Sequence, residues 1–271
     1  GYQKELTVQK NIDQLGQPFD IVFAYKPLEL KSFKDIKLPK AIRYNEMHDT
    51  NWTLQEIKES GSQLVVCHHK NDYDRYLKMN LRGVTLVYVG HCAEKTIFKN
   101  YNLPYKYDIM VAGKISKIYP LRNRLLGLLP KLKKKYKCYQ HPHPGYNHSD
   151  AYTNKYLIQM AKAINQSKIV LSDSGRPRNR FGKYVEIPMC GTSALCADVP
   201  LDDADDYSYL IEVSNEMSDQ EMIDKISYYL DHEGERQKKV SQGLEFSQRY
   251  TQEDYAGRLL TAINSFLECQ A

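Results

Sequence analysis

Short apolar runs alternate with amphipathic stretches along the whole chain, and no internal repeat interrupts them. That alternation predicts an α/β protein built on parallel sheets. In the first hundred residues four runs read as strands: Asp20–Tyr25, Ala41–Tyr44, Gln63–Cys67 and Val84–Val89. Polar or helical stretches such as Asn51–Ser60 and Asp72–Leu81 separate them. Each run ends in polar residues, among them Asn45 to Asp49, His68-His69 and Gly90-His91. Open α/β sheets bind ligands at the carboxyl ends of their strands. This half therefore sets its histidines and aspartates where a site would form.

Asn100–Tyr107, polar, aromatic and carrying Pro104, reads as a connector, after which the pattern restarts. Asp108–Ala112 is a strand, followed by the loop Gly113–Ser116. Tyr119-Pro120-Leu121-Arg122 opens a helix, with Pro120 in the first turn, where its missing N–H costs little. Pro130 is expected to kink or end that helix. Lys131–Cys138 leads to a rigid loop, His141–Tyr146. Leu157, Met160, Ala161 and Ile164 mark one face of a helix over Asn154–Asn165. Further strands are expected at Lys168–Leu171, Ser193–Ala197 and Leu210–Val213, with a short helix at Tyr184–Met189 limited by Pro188. Ser218-x-x-Glu221 is a capping box opening a helix to Leu230. Thr251-x-x-Asp254 starts a last helix whose face is Tyr255, Leu259, Leu260, Ile263 and Leu267.

The 38 basic and 33 acidic residues leave a formal charge of +5. That mild excess lacks the concentrated stripe of a nucleic-acid binder. It suits a pocket holding an anion such as a nucleotide diphosphate. No apolar run approaches the roughly 20 residues that span a bilayer; the longest, Ile109–Ala112 and Leu125–Leu129, are core-sized. The first fifteen residues show no secretory signal pattern. Cys67, Cys92, Cys138, Cys190, Cys196 and Cys269 form no C-x-x-C and read as reduced core thiols, which implies a cytoplasmic setting.

The most informative stretch is Arg176–Val199. Arg176, Arg178 and Arg180 crowd one loop, Lys183 follows a turn later, Glu186 lies in the first turns of a helix, and Cys190-Gly191-Thr192 ends it. A glycine there lets backbone approach a ligand. A carboxylate such as Glu186 can accept from both hydroxyls of a ribose. The basic loop and the helix start can hold a diphosphate. With these residues the chain resembles the donor-binding half of GT-B glycosyltransferases, in particular the group 1 set and its spore-coat-like relatives. A basic residue, Arg176 or Arg178, precedes Phe181, Glu186, Gly191 and Leu195 in the family's order. Tyr107-Asp108-Ile109 through Gly113, then Tyr119-Pro120-Leu121-Arg122, is similar to the entry of that domain, and Ser218–Leu267 to its closing helices. The resemblance covers Tyr107–Leu267.

The resemblance implies two Rossmann-like α/β domains facing a central cleft, the N-terminal one reduced. Residues 1–103 would bind the acceptor and residues 104–250 a nucleotide sugar, with the helix of 251–271 packing back toward the first domain. The activity implied is glycosyl transfer from a UDP- or GDP-linked sugar to a carbohydrate acceptor; separately, the Lys-, Asn- and Tyr-rich composition, compact size and lack of a signal pattern suit a microbial or large-DNA-virus setting. Carried over by position, Glu186 would bind the donor ribose, and Gly191 and Thr192 would approach the diphosphate. Gly113, Lys114, Ser116 and Arg122 would meet the phosphates from the first loop, with Arg176 and Lys183 also on the donor. Arg178 or Arg180 would neutralise the leaving group in place of a metal. His143 or Tyr146 would touch the donor base. Neither a metal cofactor nor a nucleic-acid partner is expected.

Retaining members of that set carry a second Glu eight residues before the ribose Glu, where this chain has Arg178. That departure points to inversion, which needs a general base on the acceptor hydroxyl. The candidates are Asp49, His69 and Asp72, then His48 and His91. Two other readings stay open. Asp203 and Asp205 form a D-x-D that could hold Mn²⁺ or Mg²⁺ in a metal-dependent transferase, although an acidic surface loop is the simpler account. A non-catalytic sugar- or nucleotide-binding module would show the same fold. His141, His143 and His148 read as an ordinary loop, and Lys131–Lys135 as a solvated helix end. No G-x-x-x-x-G-K-[ST] phosphate loop is present.

Overall fold

A computed structural model describes residues 3, 5–145, 150–201 and 206–270. The chain divides into two compact units, Gly1–Gly90 with Tyr255–Ala271, and His91–Asp254. The boundary lies at Gly90 rather than at residue 103. Ala93 and Phe98 are buried in the core of the second unit, and Ala93 bridges Thr251, so the stretch before Asn100 is structural rather than connecting.

The first unit opens with α1 (Val8–Asp13), which the hydrophobic pattern did not predict, and β1 (Val22–Ala24). β2 (Lys40–Tyr44), α2 (Thr50–Ser60), β3 (Leu64–Cys67), α3 (Lys70–Leu77) and β4 (Thr85–Tyr88) follow. Asp49 caps α2 by accepting from Trp52 N at 3.0 Å, and Gly61, at φ 64°, ends it. The buried face of α2 is Thr53, Glu56, Ile57 and Ser60, a helical repeat in which Glu56 is satisfied by the Tyr44 hydroxyl at 2.7 Å. The sheet is all parallel in the order β1-β2-β3-β4. Ile42, Tyr44, Val65 and Cys67 point to one face, packed with Ile57 of α2 and Tyr76 of α3.

The second unit contains β5 (Tyr107–Val111), α4 (Pro120–Leu132), β6 (Cys138–Gln140), α5 (Asp150–Asn165) and β7 (Ser167–Leu171). It continues with α6 (Lys183–Met189), β8 (Ala194–Ala197), β9 (Ile211–Glu212), α7 (Asp219–Asp231) and α8 (Glu233–Ser247). Its parallel sheet runs β6-β5-β7-β8-β9. Ile109, Val111, Ile169 and Leu171 face α4 and α7, whereas Met110 and Val170 face α5 and α6, giving three layers. The expected capping box is formed: Ser218 accepts from Glu221 N at 3.2 Å and Glu221 accepts from Ser218 N.

Pro130 does not end α4. It lies two residues before the last helical residue, Leu132, where one lost hydrogen bond is offset by burial of Leu128, Leu129 and Leu132. β6 and α8 were absent from the sequence reading. The buried stripe of α8 consists of Arg236, Val240, Gly243 and Phe246, too polar to register as a hydrophobic period.

The last helix, α9 (Gln252–Glu268), belongs to the first unit from Tyr255 onward. It covers the second face of the first sheet, where Phe266, Ile263 and Leu267 pack with Ala41, Leu64 and Val87. Phe266 takes the position in the core that the hydrophobic pattern assigned to Leu260, which is 59% exposed. Cys67, Cys190 and Cys196 are buried as expected, but Cys269 is exposed and Cys92 and Cys138 are half-buried. Among the described residues no helix is long and apolar enough to cross a membrane.

Candidate functional site

In the second unit the chain leaves β5 first to one side, for β6, and then to the other, for β7. Ligands of open α/β sheets bind beyond the carboxyl ends of the strands at such a reversal. A cavity of about 390 Å³ lies there. Gly113 and Lys114 line it from the loop after β5, Tyr119 and Arg122 from the first turn of α4, and His143 from the loop after β6. Tyr156 of α5 and Phe181 to Lys183 and Glu186, at the start of α6, complete most of the wall, with His91 and Cys92 from the beginning of the unit.

Gly113 adopts φ +105°, and a Cβ there would fall 2.4 Å from Arg122 Nη1, so the turn closes directly on the guanidinium. Arg122 is 3% exposed; Nη1 donates to Lys114 O at 2.9 Å and Nη2 to Ser172 Oγ at 3.2 Å. Its counter-charge is Asp173, just after β7, with Oδ1 2.9 Å from Nη2. Glu186 pairs with Lys183 one turn earlier, and both lie against Gly182, where a Cβ would come within 2.9 Å of Glu186 Oε1. Tyr119 meets Phe181 edge to face at 5.7 Å.

The cavity is electropositive. Burial lowers the pKa of His143, and Lys183, Lys114 and Arg122 lower it further, so three cations act on one imidazole. Beneath it His141 is 6% exposed and pushed down to about 4, mainly by burial and also by Lys183. Asp173 moves the other way: burial pushes its carboxyl up to about 6 against the opposing pull of Arg122. An unfolded histidine protonates near 6.5 whereas His141 resists to about 4, so acidification across that window favours the unfolded chain. Asp173 has the opposite sign, its stability contribution being lost as pH rises toward about 6. Comparing wild type with His141→Phe cancels Asp173. In urea melts at pH 7 and pH 5 the wild type should lose about 2 kcal/mol more than the variant. Equal losses would contradict a neutral buried His141.

Six residues of the sequence-based donor set therefore share this wall: Gly113, Lys114, Arg122, His143, Lys183 and Glu186. Others lie elsewhere. Ser116 accepts through its carbonyl from Asn123 Nδ2 at 2.8 Å. The three loop arginines diverge. Arg176 is exposed, and its backbone N donates to Ile118 O at 2.7 Å. Arg178, at φ 53°, is exposed and donates to Val199 O at 2.8 Å. Arg180 is 2% exposed with its guanidinium 4.1 Å from the Tyr250 ring centroid. Gly191 faces Leu244 in a separate hollow, and the carbonyl of Thr192 accepts from the Tyr105 hydroxyl at 2.7 Å. Tyr146, His148, Asp203 and Asp205 lie outside the described residues. Among the described residues no three His, Cys, Asp or Glu side chains are grouped to hold a metal.

In the first unit Asp49 spends its carboxylate on the α2 cap. Asp72, 5% exposed, accepts from Met47 N at 3.1 Å and from Arg75 Nη2 at 2.7 Å, while burial raises its pKa. His69 is 1% exposed, and His48 lies 3.4 Å from Glu46. Sequence reasoning missed Asp173, Tyr119 and Tyr156. Only the polar end of the run Lys168–Leu171 signalled Asp173, because its partner is 51 residues away.

A family model described as glycosyl transferase-like matches residues 118–261, slightly more than half of the chain. No curated protein sequence matches. Among solved structures, sucrose-phosphate synthase from Thermosynechococcus elongatus is similar over 96% of this chain and 76% of its own, with TM-score 0.69 and 10% identity. The UDP-forming α,α-trehalose-phosphate synthase of Burkholderia xenovorans gives TM-score 0.66 and 10% identity over 95% of this chain and 76% of its own. Pneumococcal O-GlcNAc transferase GtfA, solved with UDP and GlcNAc, gives TM-score 0.60 and 10% identity over 95% of this chain. This chain spans 59% of the GtfA chain.

Proposed function

Because this chain belongs to the glycosyl transferase-like family and is a glycosyltransferase of the GT-B fold, we propose that the cavity beyond β5 and β7 binds a nucleoside-diphosphate sugar, UDP-linked in preference to GDP-linked. The observation that carries this reading is the meeting of Lys114, Arg122 and Lys183 with Glu186 in one cavity at the strand reversal. Lys114 and Lys183 supply charge for the diphosphate, Glu186 accepts from the ribose hydroxyls, and neutral His143 with Tyr156 flanks the base. The similar structures that form or hold UDP support the choice of nucleotide.

The transfer on this reading is metal-independent and inverting, with a carbohydrate as acceptor. Fixed cations stabilise charge developing on the departing diphosphate. Arg178 occupies the position eight residues before Glu186, with its guanidinium directed to Val199 O. Of the five base candidates His91 lines the cavity. It would take the acceptor hydroxyl proton as the bond from the acceptor oxygen to the anomeric carbon forms and the bond to phosphate breaks.

Calorimetric titration of UDP in EDTA tests the assignment. Wild type should bind, and Glu186→Ala should bind ten- to a hundredfold more weakly, the loss of about 1.5–3 kcal/mol expected for charge-assisted hydrogen bonds. Equal affinity would remove Glu186 from the site. Binding that requires added Mn²⁺ would overturn metal independence, and a product retaining the donor's anomeric configuration by NMR would overturn inversion.

A further inference from the structure

We propose that Asp173 is a positioning residue, fixing Arg122 so that Arg122 holds the Gly113–Lys114 turn in the shape that receives phosphate. The inference rests on the donor reading above and adds a residue that does not itself line the cavity. Among the described residues the two loops that bound the strand reversal, after β5 and after β7, share the backbone hydrogen bonds Ala112 N to Leu171 O at 3.2 Å and Arg176 N to Ile118 O at 2.7 Å, neither of which involves Gly113 or Lys114. Arg122 ties them together. Nη1 reaches Lys114 O, and Nη2 reaches Ser172 Oγ and Asp173 O at 3.2 and 3.4 Å. Asp173 grips Arg122 at both ends: Oδ2 accepts from its backbone N at 3.1 Å and Oδ1 pairs with its guanidinium at 2.9 Å.

Both partners lie almost wholly inside the protein, at 3% and 1% exposure. A buried pair of this kind is weak evidence for stability, because desolvation cancels much of the attraction. Burial already pushes Asp173 toward its neutral form. The geometry accounts for the pair better than stability does. The absent Cβ of Gly113 leaves room for the guanidinium, and the Tyr119 ring lies 4.2 Å from it, so Arg122 fills a slot cut to its shape. Its Nη donors point to protein acceptors, which leaves the diphosphate to Lys114 and Lys183 and makes Arg122 the support of the turn.

The test compares UDP with uridine, by calorimetry, for wild type, Asp173→Asn and Arg122→Lys. Arg122→Lys keeps the charge opposite Asp173 but not the fork that spans two loops. UDP affinity should fall at least tenfold in both variants while uridine affinity stays within threefold, because uridine has no phosphate to be misplaced. A purely architectural pair would weaken UDP and uridine together; that result, or unfolding of both variants, overturns the proposal. Absence of UDP binding in wild type would instead overturn the donor reading itself.

Discussion

Replacing Gly113 with alanine is expected to weaken UDP binding more than a hundredfold. Two costs coincide at this position. The backbone sits at φ +105°, where a side chain is strained by roughly 1–3 kcal/mol. The new Cβ would also lie 2.4 Å from Arg122 Nη1 and 2.8 Å from Cζ. A flexible surface arginine would swing away, but this one is enclosed and bonded to Lys114 O, Ser172 and Asp173. If the guanidinium is displaced, Asp173 is left buried without its counter-charge, a change that costs about 3–5 kcal/mol in comparable pairs. The turn must therefore open, carrying the Lys114 backbone with it. Calorimetry with UDP and a thermal melt are the measurements. An unchanged Kd would show that the turn and its arginine lie outside the nucleotide site.

The second large effect lies in the first unit. Phe266→Ala should destabilise that unit by about 3–5 kcal/mol, the usual range for truncating a buried aromatic, against a total stability of about 5–15 kcal/mol for a typical domain. The reason is topological. The strand order β1-β2-β3-β4 never reverses, and crossover connections between parallel strands have one hand, so α2 and α3 fall on the same face. A parallel sheet needs cover on both faces. Ala41, Leu64 and Val87 receive it from α9, where Phe266 is 3% exposed. Hydrogen exchange at the β2 and β3 amides should rise sharply in the variant. Leu260→Ala, on the exposed side of the same helix, should stay within about 0.5 kcal/mol. Equal effects at the two positions would mean that α9 does not seal the sheet as described.

The comparison of Phe266 with Leu260 also shows why parts of this fold were legible in the sequence and parts were not. Strands buried on both faces read as continuous apolar runs, and the runs Gln63–Cys67 and Lys168–Leu171 located in that way the strands Leu64–Cys67 and Ser167–Leu171. α9 carries apolar residues around much of its circumference, so its pattern marked a helix but put Leu260 rather than Phe266 on the buried face. α8 escaped because close packing, not hydrophobicity, drives its approach. A Cβ on Gly243 would lie 3.1 Å from Pro188, and Arg236 buries its guanidinium on carbonyls of Tyr229 and Leu230. At the site, Glu186, Lys183 and the loop after β5 could be picked out because their types and order suit nucleotide chemistry. The arginines at 176, 178 and 180 looked alike in sequence, but the turn through φ 53° at Arg178 sends them to different surroundings. The pairing of Arg122 with Asp173 joins two loops, and no local pattern encodes it.

The split composition of the first unit orders events on the ribosome. Its four strands are made before the second unit, but the helix that seals them is made only after it. At about 5–20 residues per second, the intervening segment takes roughly ten to thirty seconds to synthesise. Throughout that interval the nascent chain presents Ala41, Leu64 and Val87 uncovered. The second unit, contiguous in sequence, has no such wait and can mature first. A ribosome-associated holdase would find its ligand in the early-made part of this protein.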